Sequence, residues 1–503
     1  MVEIAPPLGP RAKKLALFLS GANLLIVQFL MIRNFSSILF GSEMIILLAT
    51  LSYFGGYSLG YFFSDRVGAR VLDLFSAGTL ALHFTLPFSL RYLFGALLER
   101  EHDFLTLALS LFIMTFLLSS FYSLLLPRFV SEEGAENLAP LYGAELAGAV
   151  LGIGVIFSGC LLDGGDVLVM AFYLGSLAVI LGLLWRSRLL AASVLASLVF
   201  YVKAYPALER ESVTFFYGAA KSMPDPRMVF SANTPYQRIE VVRDRFGQGH
   251  LYLDGVRHFG GDSLDAFNDY IAGIPASLLE RPRVLIVGSG SLGSLARVLP
   301  RAARVDTVEI DRRVIEAGMR FFEGDAGGEL LDLRREKWTL HIDDAKHFIK
   351  NAPEKYDLVV MDIAGPFQMQ VALLYTEEFY RLAAENLAPG GVIAVSLNGQ
   401  LARESANAGR ITRTLAGVFP DLFVVAPWDD SNFALAGNGL RFSKSDLEKQ
   451  IKLRRFARTR VYGRDEVLEM LSDGAYEKIS LKNMDIVLKR GWNHLLADYL
   501  EFD

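Results

Sequence analysis

The chain has one cysteine in 503 residues, Cys160, which leaves no intrachain disulfide and no paired thiolates to hold a metal. Its seven histidines are scattered, so no metal centre is expected. Charge is also sparse: 21% of residues are Asp, Glu, Lys or Arg, and a net charge of −5 without a basic run gives no footing for nucleic acid. What the chain has instead is apolar surface. Hydrophobic residues make up 52%, and the mean hydropathy of +0.33 is high for a soluble protein.

That excess is confined to the first two hundred residues. Apolar stretches occupy residues 15–33, 43–64, 71–98, 104–126, 142–162, 166–185 and, more briefly, 189–202. Crossing ~30 Å of hydrocarbon takes roughly 20 apolar residues, so residues 1–204 are expected to form an α-helical membrane domain of six or seven spans. The first stretch is not expected to be a cleaved leader, because comparable ones follow it and no small-residue cleavage pattern closes it. Arg11, Lys13, Lys14, Arg66, Arg70, Arg128, Arg186 and Arg188 fall on one side of this pattern, and Arg33, Arg91 and Arg100 on the other. The positive-inside rule then puts the amino terminus in the cytoplasm. With six spans the polar half is cytoplasmic, with seven it is outside; an integral membrane protein with a cytoplasmic soluble part is the expectation. Glu43, Arg33 and Arg91 lie near segment ends and are expected to reach the interface. Glu145 and His83 lie within segments, where a polar group is costly and is either functional or satisfied by an interhelical hydrogen bond. Gly143, Ala144, Ala147 and Gly148 would allow the close approach such a bond needs.

The polar half divides further. Residues 205–275 read as a turn-rich linker and a β-hairpin unit, with Ile239, Val241, Leu251 and Leu253 alternating around "FGQG". Residues 276–440 alternate strands and helices, the pattern of a mainly parallel sheet covered on both faces. Residues 441–503 are expected to be a helical extension. Ligands of such sheets bind beyond the carboxyl ends of the strands. That rule selects Gly288, Gly290, Ser291 and Gly293 after the first strand of the α/β region, Glu309 and Asp311 after the second, Asp343 and Asp344 after the third, and Asp362 after the fourth. Glycines allow a backbone to approach a ribose or phosphate, an acid closing the second strand can accept from ribose hydroxyls, and Asp362 could hold a proton. For each acid alone, a helix N-cap or first-turn charge is the competing reading.

In order, "YQRIEV", "LYLDGV", "VLIVGSGSLG", "VEID", "DDAKHFI", "YDLVVMD" and "LLYTEEFYRLAAENLAPGGVIAV" resemble the motifs of the spermidine synthase (polyamine aminopropyltransferase) family. The opening "SGANLLIVQFLMIRNFSSILFGSEM" is similar to its multi-span membrane branch. The resemblance implies a β-hairpin unit followed by a methyltransferase-like Rossmann domain that holds decarboxylated S-adenosylmethionine. It implies that Gln237 contacts this cosubstrate, Glu309 its ribose and Asp344 its adenine, with Asp362 as base and Tyr236, Asp269 and Tyr375 towards the acceptor amine. A homodimer is also compatible with it. Three positions depart from the family pattern. Ser291 replaces an Asp that faces the aminopropyl amine, Gly365 replaces the second acid of Asp-x-x-Asp, and Phe267-Asn268-Asp269 replaces Tyr-His/Gln-Glu. These changes make putrescine a doubtful acceptor and open the site to intact S-adenosylmethionine, hence to methyl or aminocarboxypropyl transfer. A lipid-borne amine acceptor suits fusion to several spans. Two other readings compete: a polyamine transporter or sensor built on Glu145 and His83, and a nicotinamide-dependent dehydrogenase, against which the motifs after Glu309 argue.

Overall fold

A computed structural model describes residues 8–489 apart from 40, 69–81, 84, 87, 100–103, 163, 186–187, 260–262, 289, 291, 323–334, 367, 402–405, 428–430, 455, 457, 473 and 475. The described chain separates into two units, residues 8–247 with 252–256, and residues 248–251 with 257–489.

The first unit is mostly helix: α1 (Pro10–Leu39), α2 (Glu43–Phe63), α3 (Phe88–Glu99), α4 (Phe104–Ser123), α5 (Leu125–Glu133), α6 (Leu138–Leu161), α7 (Gly165–Trp185) and α8 (Arg188–Ala220). Among the described residues, five stretches are long and apolar enough to cross a membrane: Pro10–Leu39, Glu43–Phe63, Leu109–Glu133, Ala135–Leu161 and Gly165–Leu184. Each overlaps one expected segment. Much of segment 71–98 lies outside the described residues, and its end is α3. Segment 189–202 is only the first part of α8, which continues past Pro206 to Ala220. The residues read as a linker from 205 are therefore helical to 220, because the chain becomes polar there without losing helix-forming residues.

Small residues bring these helices together. A Cβ on Gly21 would strike the Glu145 carbonyl, one on Gly148 the Phe18 carbonyl, and one on Gly152 would lie 2.6 Å from the Ala22 carbonyl oxygen. The backbones of α1 and α6 thus touch, as small-residue helix contacts allow. Gly56 and Gly60 serve α2 against α4 in the same way. The outward faces are as apolar as the inner ones: Leu51, Phe54 and Phe62 of α2 and Val150, Ile153 and Phe157 of α6 are all exposed.

Beyond α8, β1 (Arg227–Asn233) pairs antiparallel with β2 (Arg238–Arg243). Strand β2 is buried on both faces although it carries Arg238 and Glu240. Arg238 binds Glu209 of α8 at 2.8 Å and Glu240 at 2.9 Å. Glu240 also accepts from Ser37 of α1 at 2.7 Å and Tyr217 of α8 at 3.0 Å. Arg91 does not reach an interface as its place in the sequence suggested. It is 1% exposed, donates to Ser212 at 3.0 Å and lies 3.9 Å from Glu209. Arg33 turns to the β1–β2 turn, donating to the carbonyls of Thr234, Pro235 and Tyr236. Lys13, read as an orientation charge, is buried against Glu132 and Glu133. Buried charges that find partners are tolerated, and the penalty falls on removing one of them.

Strands β3 (Gly249–Leu253) and β4 (Val256–Phe259) complete a four-stranded meander in the order β1-β2-β3-β4. The larger sheet has the order β12-β10-β11-β9-β8-β5-β6-β7, formed by β5 (Arg283–Gly288), β6 (Arg304–Glu309), β7 (Trp338–Ile342), β8 (Tyr356–Asp362), β9 (Leu387–Ser396), β10 (Asp421–Ala426), β11 (Phe433–Gly437) and β12 (Arg460–Gly463). Strands β5 to β9 run parallel, while β10, β11 and β12 pair antiparallel. Leu285, Val287, Val359, Met361, Ile393 and Val395 pack on one face, and Val284, Ile286, Leu358, Val360, Val392 and Ala394 on the other. Strands covered on both faces read as unbroken apolar runs, which is why "RVLIVG" and "DLVVMD" show no alternation. The segment from 441 is not a purely helical extension. It holds helices Lys444–Leu453 and Arg464–Met470, but β12 between them pairs with β10 as the edge of this sheet.

Candidate active site

The order of the sheet reverses at β5: the chain builds β6 and β7 on one side and returns to place β8 and β9 on the other. Ligands of open α/β sheets bind at such a switch point, outside the carboxyl ends of the strands. There Gly288 ends β5 opposite Asp362, its register partner at the end of β8, and Glu309 ends β6 on the other flank of β5. The glycine turn owes its composition to packing. Gly288 has φ of +88°, where side chains are strained, and its Cβ would strike the Asp362 carbonyl. Gly290 is kept clear for Val314, and Gly293 for the amide of Asn268. Ser291 lies outside the described residues. With the glycines explained this way, the case for a ligand rests on the acids.

Glu309 is electrostatically perturbed. Its Oε1 accepts from the Asp311 amide at 3.0 Å. Burial pushes its carboxyl up to about 7. Backbone donors at Asp311 and Ile310 oppose that rise, while the charges of Asp311 and Asp362 add to it. The carboxylates of Glu309 and Asp362 therefore act within one field across β5. An acid poised near neutrality, with a second acid across the strand at a switch point, makes this a candidate functional site.

Tyr375 is fully buried. It donates to the Ala364 carbonyl at 2.9 Å and accepts from Asn398 at 3.0 Å. It thereby ties the loop after β8, which contains Gly365, to the loop after β9. Both bonds help to position the loop that follows Asp362. Asn398, with φ of +51°, was not selected from the sequence, although the Asn-Gly pair at 398–399 is a turn signal that could have found it.

The remaining acids have local duties. Asp344 caps the helix Ala345–Lys350, accepting from the His347 amide at 2.9 Å. Asp343 accepts from the Asp344 amide at 2.8 Å and faces His347 Nδ1 at 2.7 Å, a contact that leads in holding its carboxyl below the usual range. Asp269 faces Arg297 at 3.7 Å and Arg454 at 3.6 Å. Tyr236 and Gln237 lie in the β1–β2 turn of the first unit, where the Gln237 carbonyl accepts from Thr234. Glu145 and His83 also belong to the first unit. Glu145 accepts from Tyr61 at 3.3 Å. His83 packs among Phe121, Tyr122 and Tyr173, and neither ring nitrogen has a hydrogen-bond partner. The interhelical hydrogen bond expected of His83 is absent among the described residues. No group of three or more metal-ligating side chains occurs among the described residues.

These observations define the second unit as a methyltransferase-like α/β domain with a candidate nucleoside site. Comparison with known proteins narrows the class: residues 264–426, about a third of the chain, match the family described as spermine/spermidine synthase domain. Similar proteins include spermidine synthase 2 of Hyoscyamus niger, 30% identical over 180 residues, which are 35% of this chain and 57% of that protein. The polyamine aminopropyltransferase of Nitrosomonas europaea is 30% identical over 190 residues, 37% of this chain and 57% of its own. Spermine synthase of Arabidopsis thaliana is 32% identical over 181 residues, 35% and 49%. The chain spans about half the length of the curated relatives it matches. Among solved structures, spermidine synthase from Thermotoga maritima is 20% identical with a TM-score of 0.39, covering 49% of this chain and 84% of that one.

Proposed function

We propose that the second unit is an aminopropyltransferase-type enzyme using a sulfonium cosubstrate, decarboxylated S-adenosylmethionine or S-adenosylmethionine itself, and that the helices of the first unit embed the chain in a membrane. The observation that carries this reading is the pair Glu309 and Asp362 at the switch point, inside the segment that matches the spermine/spermidine synthase domain. Glu309, when ionised, would accept from the ribose hydroxyls, and Asp344 at the end of the next strand would face the adenine. Asp362 would take the proton from the attacking amine. The amine lone pair forms the new C–N bond at the carbon beside the sulfonium, the C–S bond breaks, and the thioether nucleoside leaves. Most of the catalysis then comes from in-line positioning and a well-placed base. Tyr375 supports this by fixing the Asp362 loop.

The apolar outward faces of α2 and α6 support the membrane placement, since a soluble chain rarely exposes so much contiguous apolar surface. Gly365, where the resembling family carries an acid, favours an amine acceptor with fewer cationic centres than putrescine, including a lipid-borne one. Ser291 supports a second reading: with no acid at that position to repel the carboxylate of intact S-adenosylmethionine, methyl or aminocarboxypropyl transfer would be open.

The test is calorimetric titration of detergent-purified protein with each cosubstrate, with Asp362→Asn alongside. The first reading expects tighter binding of the decarboxylated form and, for Asp362→Asn, retained binding with loss of turnover. Tighter binding of the intact form supports the second reading. Binding of neither, nor of methylthioadenosine, refutes both.

A further inference from the structure

We propose that Glu145, Tyr61 and Tyr57 form a binding site for the ammonium group of an aliphatic amine inside the helices of the first unit, separate from the chemistry proposed for the second. Glu145 is 3% exposed. Its Oε2 accepts one hydrogen bond, from the neutral Tyr61 hydroxyl at 3.3 Å, and its Oε1 is buried with no hydrogen-bond partner. No ion pair reaches it from any described residue, in contrast to Glu209 and Glu240 of the same unit, which are matched by Arg238. A buried carboxylate with one neutral donor is strongly disfavoured unless a cation comes to it or it takes up a proton.

The surroundings suit an organic cation. Tyr61 and Tyr57 stand one turn apart on α2, hydroxyls 2.8 Å apart and ring centroids 4.8 Å apart, and Tyr57 stacks on Tyr53 at 6.5 Å. A run of phenol faces beside a carboxylate offers an ammonium both an ion pair and cation–π contacts. Hard metal cations require six or more oxygen ligands, which this group does not supply.

The site lies near one end of these helices. Glu145 lies seven residues into α6, about 10 Å at helical rise, and Tyr61 is two residues from the end of α2. The contact of Gly21 with the Glu145 carbonyl places Glu145 about two turns into α1 from the end where Lys13 pairs with Glu132 and Glu133. An amine would thus enter from the end that carries the charges.

The experiment is equilibrium dialysis of radiolabelled putrescine against the full chain in detergent micelles, comparing wild type with Glu145→Gln, Glu145→Asp, Tyr61→Phe and Asp362→Asn, each checked for monodisperse elution. Saturable binding should be weakened at least tenfold by Glu145→Gln and several-fold by Tyr61→Phe. It should be partly kept by Glu145→Asp, which retains the charge, and the component that Glu145→Gln removes should persist in Asp362→Asn. Glu145→Gln binding like wild type overturns the inference, as does absence of saturable binding in the wild type, the result expected if Glu145 is merely protonated. Loss of all binding in Asp362→Asn alone also overturns it, and places the amine at the site proposed in the second unit.

Discussion

Glu309 ties the candidate site to pH. Its carboxyl sits near 7 instead of the ordinary 4.5, and each tenfold change in proton affinity is worth ~1.4 kcal/mol, so the fold disfavours the ionised form by about 3 kcal/mol. The native state therefore holds the proton more tightly than the unfolded chain. Below pH 4.5 both states are protonated and there is no penalty. Stability then falls as pH rises from about 4.5 to about 7, and is flat with respect to this group above that. If the ionised carboxylate receives the ribose hydroxyls, affinity for the nucleoside moves the other way. About a tenth of Glu309 is ionised at pH 6 and about nine-tenths at pH 8, so the apparent Kd for methylthioadenosine should tighten about tenfold between them. The assay is calorimetric titration across that interval, with uptake or release of protons read from buffers of different ionisation enthalpy; binding below pH 7 should release a proton. Glu309→Gln should flatten the profile, weaken binding at pH 8, and raise the thermal midpoint of the ligand-free protein at that pH. A wild-type Kd unchanged from pH 6 to pH 8, or the same slope in Glu309→Gln, would refute the assignment of Glu309 to the ribose.

Three further outcomes follow from named contacts. Arg238→Leu leaves Glu209 and Glu240 buried without their main countercharge and should destabilise the first unit by about 3–5 kcal/mol, measured as loss of protein surviving graded heating in detergent. Gly288→Ala combines a strained φ of +88° with a clash on the Asp362 carbonyl; it should displace Asp362 and lower turnover more than nucleoside affinity, as a kcat-against-Kd comparison would show. Tyr375→Phe keeps the ring but releases both the Ala364 carbonyl and the Asn398 amide, at a cost of about 1–3 kcal/mol for buried groups left unpaired; thermal unfolding should detect it.

The parallel strands were legible because an apolar run followed by a glycine or an acid is what a doubly covered strand and its ligand-facing end look like in sequence. Glu309 and Asp362 were found for that reason. The duties of Asp343, Asp344 and Asp269 were not legible, since a carboxylate that caps a helix or pairs with an arginine has the same letter as one that awaits a ligand. His347, Arg297 and Arg454, the partners of these carboxylates, act through geometry that spacing does not reveal. The strand β12 was missed because four residues, "RVYG", between two helices carry too little pattern to declare an edge strand. Arg91 looked like an interfacial charge because its partner Glu209 lies over a hundred residues away, beyond the point where hydropathy drops.

The charges on β2 decide how this protein can be taken apart. Arg238 and Glu240 sit on the strand, but the groups that neutralise and solvate them sit on α1 and α8, and Arg91 of α3 shares Glu209 with them. The drop in hydropathy near residue 205 is therefore a boundary of composition and not of structure. A polypeptide cut there would keep Glu209 and Tyr217, lose Ser37 and Arg91, and open a strand built for a dry interior to water. The helices are part of the scaffold that shapes this sheet, and any attempt to separate the apolar half from the polar half would have to rebuild β2 first.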